Sequence, residues 1–130
     1  MLSESEIEKL KTFLAGRSKV AYCFLFGSSL NGTSLHHDID LLIGGDLSEE
    51  ERGDLTSEIE LLLGSPIDLV LSEKARCEVA LRALSSGRPV LIRDRERLKE
   101  DYFRNFRLCE QKIPLRRVRL ERLKRVYTHG

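Results

Sequence analysis

Asp38 and Asp40 stand one residue apart at the start of an apolar run, HDIDLLI, from His37 to Ile43. Alternate residues of a β-strand share a face, so the two carboxylates would project together with Cα atoms ~6.6 Å apart. Two like charges at that spacing repel by ~2.5 kcal/mol at an effective dielectric of 20, and by ~0.6 kcal/mol in open water. Such a pair is a liability unless something neutralises it. A divalent cation does so directly, and Mg²⁺ in particular combines one or two carboxylates with substrate phosphates. Taken alone, the D-x-D pattern is also compatible with a solvated strand end or with aspartates held in Asx-turns.

Two further features narrow the chemistry. Gly27 and Ser28 close the apolar segment Val20 to Phe26 that precedes the acids. A glycine there permits close backbone approach to a ligand, N–H groups at a following helix start attract phosphate, and the Ser28 hydroxyl is a donor for a phosphate oxygen. An ordinary strand-to-helix turn would use the same residue types. The third acid is Asp68, set between Ile67 and Leu69 in PIDLVL, again inside an apolar segment. Three aspartates at one sheet edge could hold two metal ions ~4 Å apart, stabilising the attacking and leaving oxygens of an in-line displacement. Asp68 would help hold the ion on the hydroxyl side or accept the hydroxyl proton; its structural alternatives are a turn cap or an arginine pair.

The elements that must carry these residues are readable from periodicity. Ser3 with Glu6, and Ser48 with Glu51, have capping-box spacing, each opening a helix. The first runs through Ile7, Leu10 and Leu14 to Gly16, and the second presents Leu55, Ile59, Leu62 and Leu63 as its buried face before Gly64-Ser65-Pro66. Val20 to Phe26, Ile39 to Ile43 and Ile67 to Leu71 have strand length and composition. Ser72 is placed to cap a helix through Val79, Leu81 and Leu84 to Gly87, and Pro89 to Arg93 forms a short strand assigned to an edge because of its proline. From Asp94 the pattern is helical, with Leu98, Tyr102, Phe106, Cys109 and Ile113 on one stripe and a break at Pro114. The expected fold is α/β (α+β): a small mixed sheet of about four strands flanked by helices, in one domain over residues 1–130 with a C-terminal helical extension over 94–130.

Composition removes several classes. Twenty-two Lys and Arg against twenty-one Asp and Glu leave a net charge of +1, which argues against direct nucleic-acid binding driven by phosphate contacts. The arginines after Pro114 read as the wet face of a docked helix, with an acidic partner protein as the alternative. Tyr102, Phe103 and Phe106 read as core or subunit interface. No apolar run approaches a membrane span, and MLSESEIEKL lacks the basic and apolar regions of a signal peptide, so a cytoplasmic protein is expected. Cys23, Cys77 and Cys109 are widely spaced with no C-x-x-C pair; the spacing indicates neither a disulfide framework nor a zinc site, and each reads as a small buried hydrophobe.

The glycine-serine turn, the polar loop with Asn31-Gly32-Thr33, His37-Asp38-Ile39-Asp40-Leu41 and the later Ile67-Asp68-Leu69-Val70 resemble the minimal nucleotidyltransferases of the DNA polymerase β-like superfamily. The stretch SEKARCEVALRALSSGRPVLIRD is similar to the family's region after the third acid. The resemblance implies a nucleotidyltransferase fold in which Gly27 and Ser28 bind nucleotide phosphates. Asp38 and Asp40 would bind two Mg²⁺ ions, with Asp68 as the third catalytic and metal-binding carboxylate. It implies transfer of AMP from ATP to a hydroxyl, commonly a tyrosine of a HEPN-domain toxin that the transferase silences as its antitoxin, and hence a possible hetero-oligomer. Two alternatives stand beside it: a module that neutralises its partner by occlusion without catalysis, and a transferase acting on a small molecule. His36 and His37 could touch phosphate or metal, although adjacent histidines in a polar loop are commonly solvated. His37 also stands where serine commonly precedes the first acid in this family.

Overall fold

The computed structural model describes residues 2–27 and 39–112. The two capping boxes form as the spacing predicts. Ser3 Oγ accepts from the Glu6 amide at the head of α1 (Glu4–Ala15), and Ser48 Oγ accepts from the Glu51 amide at the head of α2 (Glu49–Leu63). The Lys19 ammonium, with the Ser48 amide, holds the Glu51 carboxyl down to about 2, so that side chain remains an acceptor well into acid. α2 stops at Gly64, which takes a left-handed conformation at φ 69°.

Among the described residues, four strands make one sheet: β1 (Val20–Phe26), β2 (Ile39–Gly45), β3 (Ile67–Leu71) and β4 (Arg88–Ile92). Their spatial order is β3-β2-β1-β4, with β1 antiparallel to both neighbours and β2 parallel to β3. The parallel pair is joined through α2, as a crossover connection requires. β4, with Pro89, lies at an edge, where a missing amide donor is tolerated.

Helices cover both faces, and the strand alternation sorts the core into two layers. Ile39, Leu41 and Ile43 of β2 and Ile67, Leu69 and Leu71 of β3 pack with Leu10 and Leu14 of α1 and Leu55 and Ile59 of α2. Leu42 and Val70, with Tyr22 and Phe24 of β1, face the opposite layer, which is closed by α3 (Cys77–Ser86) and α4 (Arg95–Lys112). Leu98, Tyr102, Phe106 and Cys109 form the buried stripe of α4 in the expected spacing. Ile113, Pro114 and the arginine-rich segment after them lie outside the described residues.

Three expectations are corrected. The buried α2 face is narrower than expected: Leu55 and Ile59 are buried and Leu63 packs partly against them, but Leu62 is 37% exposed. Ser72 does not cap α3, which begins at Cys77 without a side-chain cap bond at Arg76. Its hydroxyl instead donates to the Asp101 carboxylate, 3.0 Å away. The cysteines also depart from the reading of isolated hydrophobes, because Cys77 and Cys109 are disulfide-bonded between α3 and α4; only Cys23 fits it.

Asp101 is the hub of the α4 layer. Only 1% of its side chain is exposed, and it accepts from Tyr22 Oη at 2.7 Å, from Ser72 Oγ, from Arg97 Nε at 3.1 Å and from Arg104 Nη1 at 3.0 Å. Burial pushes the Tyr22 phenol far above its ordinary range, so this hydroxyl is a permanent donor. Arg97 reaches onward to Asp46 and Glu73, joining α4 to the ends of β2 and β3. The Tyr22 ring lies against Gly44, where a Cβ would overlap ring carbons and stand 2.7 Å from the hydroxyl. Gly44→Ala is therefore expected to destabilise the fold by about 1–3 kcal/mol through overpacking, read as a lowered urea midpoint with an unchanged m-value.

Candidate active site

Strand register brings the acids together. Asp40 on β2 is the direct partner of Asp68 on β3, within a ladder that runs from Ile39↔Ile67 to Ile43↔Leu71. Neighbouring strands lie ~4.8 Å apart, and in-register residues of a parallel pair share a face. The face is that of Leu42 and Val70, because the intervening residues Ile39, Leu41, Ile67 and Leu69 are committed to the α1–α2 layer. Both acids sit at the first turn of pairing, where β2 and β3 begin. Asp40 is half-buried and Asp68 exposed, so the pair opens to solvent at the sheet rim.

β1 ends at the same rim. Phe26 is the antiparallel partner of Asp40, and the next residue, Gly27, turns the chain with φ 78°. A Cβ built on Gly27 would collide with Asp40 Oδ2 and stand 3.2 Å from its Cγ. The Asp40 carboxylate thus lies directly against the glycine turn. Glycine is needed here twice over, for its backbone conformation and for the room it leaves to the acid. Gly27 and Asp40 are separated by the polar loop, yet they meet at one point, as do Asp40 and Asp68 across α2. Ser28, Asp38 and the loop with His36 and His37 lie outside the described residues.

The Polymerase beta, Nucleotidyltransferase family model matches residues 8–96, from within α1 through all four strands to the start of α4. The chain belongs to this nucleotidyltransferase family. Solved structures similar to it come from toxin–antitoxin complexes. The MntA–HepT structure matches with TM-score 0.69 at 16% identity, over 94% of this chain and 99% of that one. A toxin–antitoxin crystal structure with AMP-PNP matches with TM-score 0.68 at 19% identity, over 92% and 98%. A Shewanella oneidensis structure of a tri-AMPylated HEPN toxin with its MNT antitoxin matches with TM-score 0.64 at 16% identity, again over 92% and 98%. No curated protein matches the chain in sequence.

Within this nucleotidyltransferase fold, the donor set fits a hard cation. The two carboxylates placed at the rim offer oxygen ligands without nitrogen or sulfur, are open to solvent on the Asp68 side, and adjoin a backbone turn with no side chain in the way. The sequence points to Gly27, Asp40 and Asp68 as site residues, whereas the place of Phe26 opposite Asp40 comes only from the register. Gly27→Ala is expected to lose about 1–2 kcal/mol from the left-handed backbone alone, and to displace the Asp40 carboxylate as well. The check is a paired measurement of Tm and of nucleotide affinity, with affinity falling further than stability accounts for.

Proposed function

We propose that this protein is a Mg²⁺-dependent nucleotidyltransferase that moves AMP from ATP to a tyrosine hydroxyl of a HEPN-domain toxin and so acts as its antitoxin. The observation that carries the reading is the meeting of Gly27, Asp40 and Asp68 at one rim. The family match and the likeness to structures holding AMP-PNP or an AMPylated HEPN toxin support the choice of nucleotide and acceptor. We read residues 1–130 as one nucleotidyltransferase domain with a helical extension over 94–130. No helix among the described residues is long and apolar enough to cross a membrane, and a cytoplasmic protein would meet both ATP and its partner there.

In this mechanism Gly27 and Ser28 receive the phosphates: the glycine leaves room for close backbone approach and the serine hydroxyl donates to a phosphate oxygen. Asp38, Asp40 and Asp68 would hold two Mg²⁺ ions, which would supply charge neutralisation for the phosphates. Asp68, the exposed acid, faces the incoming acceptor and takes the hydroxyl proton. The tyrosine oxygen bonds to the α-phosphorus, the α–β bridging P–O bond breaks, and pyrophosphate leaves. Most of the rate enhancement is positioning and charge stabilisation.

The test is incubation of the protein with Mg²⁺, each nucleoside triphosphate and the HEPN-like product of a neighbouring reading frame, followed by intact mass measurement. One or more adenylyl units on that partner, formed only with ATP and lost on chelation by EDTA, are expected. A tight complex without an adduct under any triphosphate would replace this reading by neutralisation through occlusion.

A further inference from the structure

Cys77 opens α3 and Cys109 lies in the last turns of α4, and their Cα atoms are 5.6 Å apart, inside the range a disulfide spans. The two are bonded, and both are buried, at 2% and 3% exposure. The bond closes a loop of separation 32 that contains α3, β4 and most of α4, the described helices on the face of the sheet that carries Asp40 and Asp68. Cys109 lies beyond the residues matched by the nucleotidyltransferase family model. Glu78 is the third group here: its Oε1 is 3.2 Å from Cys77 Sγ and 3.9 Å from Cys109 Sγ.

That third group gives the opened site an acceptor that the bonded one does not use. With the sulfurs bonded, helix is joined to helix covalently. With the bond opened, a single carboxylate oxygen, Glu78 Oε1, lies within reach of either S–H as the two sulfurs part. On the cytoplasmic reading proposed above, a disulfide here belongs to the class that reducing compartments keep transient and redox-responsive. Cys23 does not compete, because it is buried in the other layer and burial pushes its thiol far above the ordinary range.

We propose that Cys77 and Cys109 are a reversible redox clasp that locks the α3–α4 layer when low-molecular-weight disulfides of the glutathione type accumulate. One thiolate attacks such a disulfide, forming a mixed disulfide and releasing one small thiol. The second cysteine loses its proton and displaces the other small thiol. Two protein thiols and one small disulfide thus become one protein disulfide and two small thiols. Burial of both sulfurs makes the exchange depend on local parting of α3 from α4.

The full-length protein is equilibrated in glutathione mixtures from reducing to oxidising, quenched in acid, then denatured in the presence of a maleimide-polyethylene glycol. Three adducts are expected at the reducing end and one, on Cys23, at the oxidising end. The oxidised protein is expected to melt about 10 °C higher than the reduced protein, as a loop of this length implies. That gap should vanish in Cys77→Ala and Cys109→Ala. Three adducts across the whole range, a stable glutathione adduct as the oxidised end point, or a Tm indifferent to redox state would overturn the proposal. So would one equivalent of zinc retained by the reduced protein, since Cys77, Glu78 and Cys109 would then be serving as metal ligands. The adduct count needs no variant, so it decides the matter even if a substitution fails to fold.

Discussion

Asp40→Asn and Asp68→Asn are each expected to slow AMP transfer by about a thousandfold or more while leaving the fold at least as stable. The first half follows from the proposed role: an amide supplies one neutral oxygen where a charged ligand is needed, and it cannot accept the acceptor's proton. The second half follows from the register. Asp40 and Asp68 are direct neighbours across a parallel pair, so each substitution relieves a like-charge repulsion at roughly 5 Å, worth ~0.8 kcal/mol in water and ~3 kcal/mol at a dielectric of 20. Asp68 is exposed, which puts its relief near the lower figure. Initial rates by intact mass, paired with melting curves, check both halves. Mg²⁺ with a non-hydrolysable ATP analogue should raise the Tm of the wild type and leave that of either variant nearly unmoved. A variant keeping more than a tenth of the rate would remove its carboxylate from the mechanism. Asp38→Asn carries the same expectation for transfer, on the strength of the D-x-D spacing.

Asp101→Ala is expected to cost about 3–5 kcal/mol, a large part of the stability of a domain this size. The carboxylate is buried and answers four donors, so its removal leaves the Tyr22 and Ser72 hydroxyls without their acceptor inside the α4 layer. Arg97 and Arg104 lose less, since both retain some exposure and Arg97 keeps Asp46 and Glu73. A Tm lowered by about 10–20 °C is expected, and Asp101→Asn should fall short of that because the amide oxygen still accepts. The network gathers around Gly44, Gly45, Ser72 and Glu73, at the ends of β2 and β3 away from the acids. Below its melting temperature the variant should therefore transfer AMP at close to the wild-type rate. A kcat loss comparable to that of Asp68→Asn would mean the network reaches the rim.

Local signals in the sequence predicted local structure well, and for physical reasons. Each capping box closes within four residues, so Ser3–Glu6 and Ser48–Glu51 could be recognised without knowing what the helices pack on. The strands carried their own length and composition, and Pro89 marked an edge. Ser72 went the other way. A serine after a strand favours a cap, but α3 begins only at Cys77, and the Ser72 hydroxyl donates to a buried anion from α4, 29 residues on. The Cys77–Cys109 bond was illegible for the same reason, since nothing local to either cysteine encodes the packing of α3 on α4. Leu62 misled because helical spacing marks a broad face, whereas the sheet meets only one narrow stripe of α2. For the site, Gly27, Asp40 and Asp68 were found as suspicious residue types in apolar surroundings. That Asp40 touches the glycine turn and stands level with Asp68 is a property of pairing order, which strand composition does not carry.

The parallel ladder has a consequence for errors in folding. Slipping β3 by a single position against β2 would turn Ile67, Leu69 and Leu71 out of the α1–α2 layer and drive Asp68 into it. The greasy side of the strand therefore proofreads the charged side: a chain that misaligns its reactive groups also forfeits its core, and it is lost as an unfolded molecule before it can persist as a well-formed but inert one.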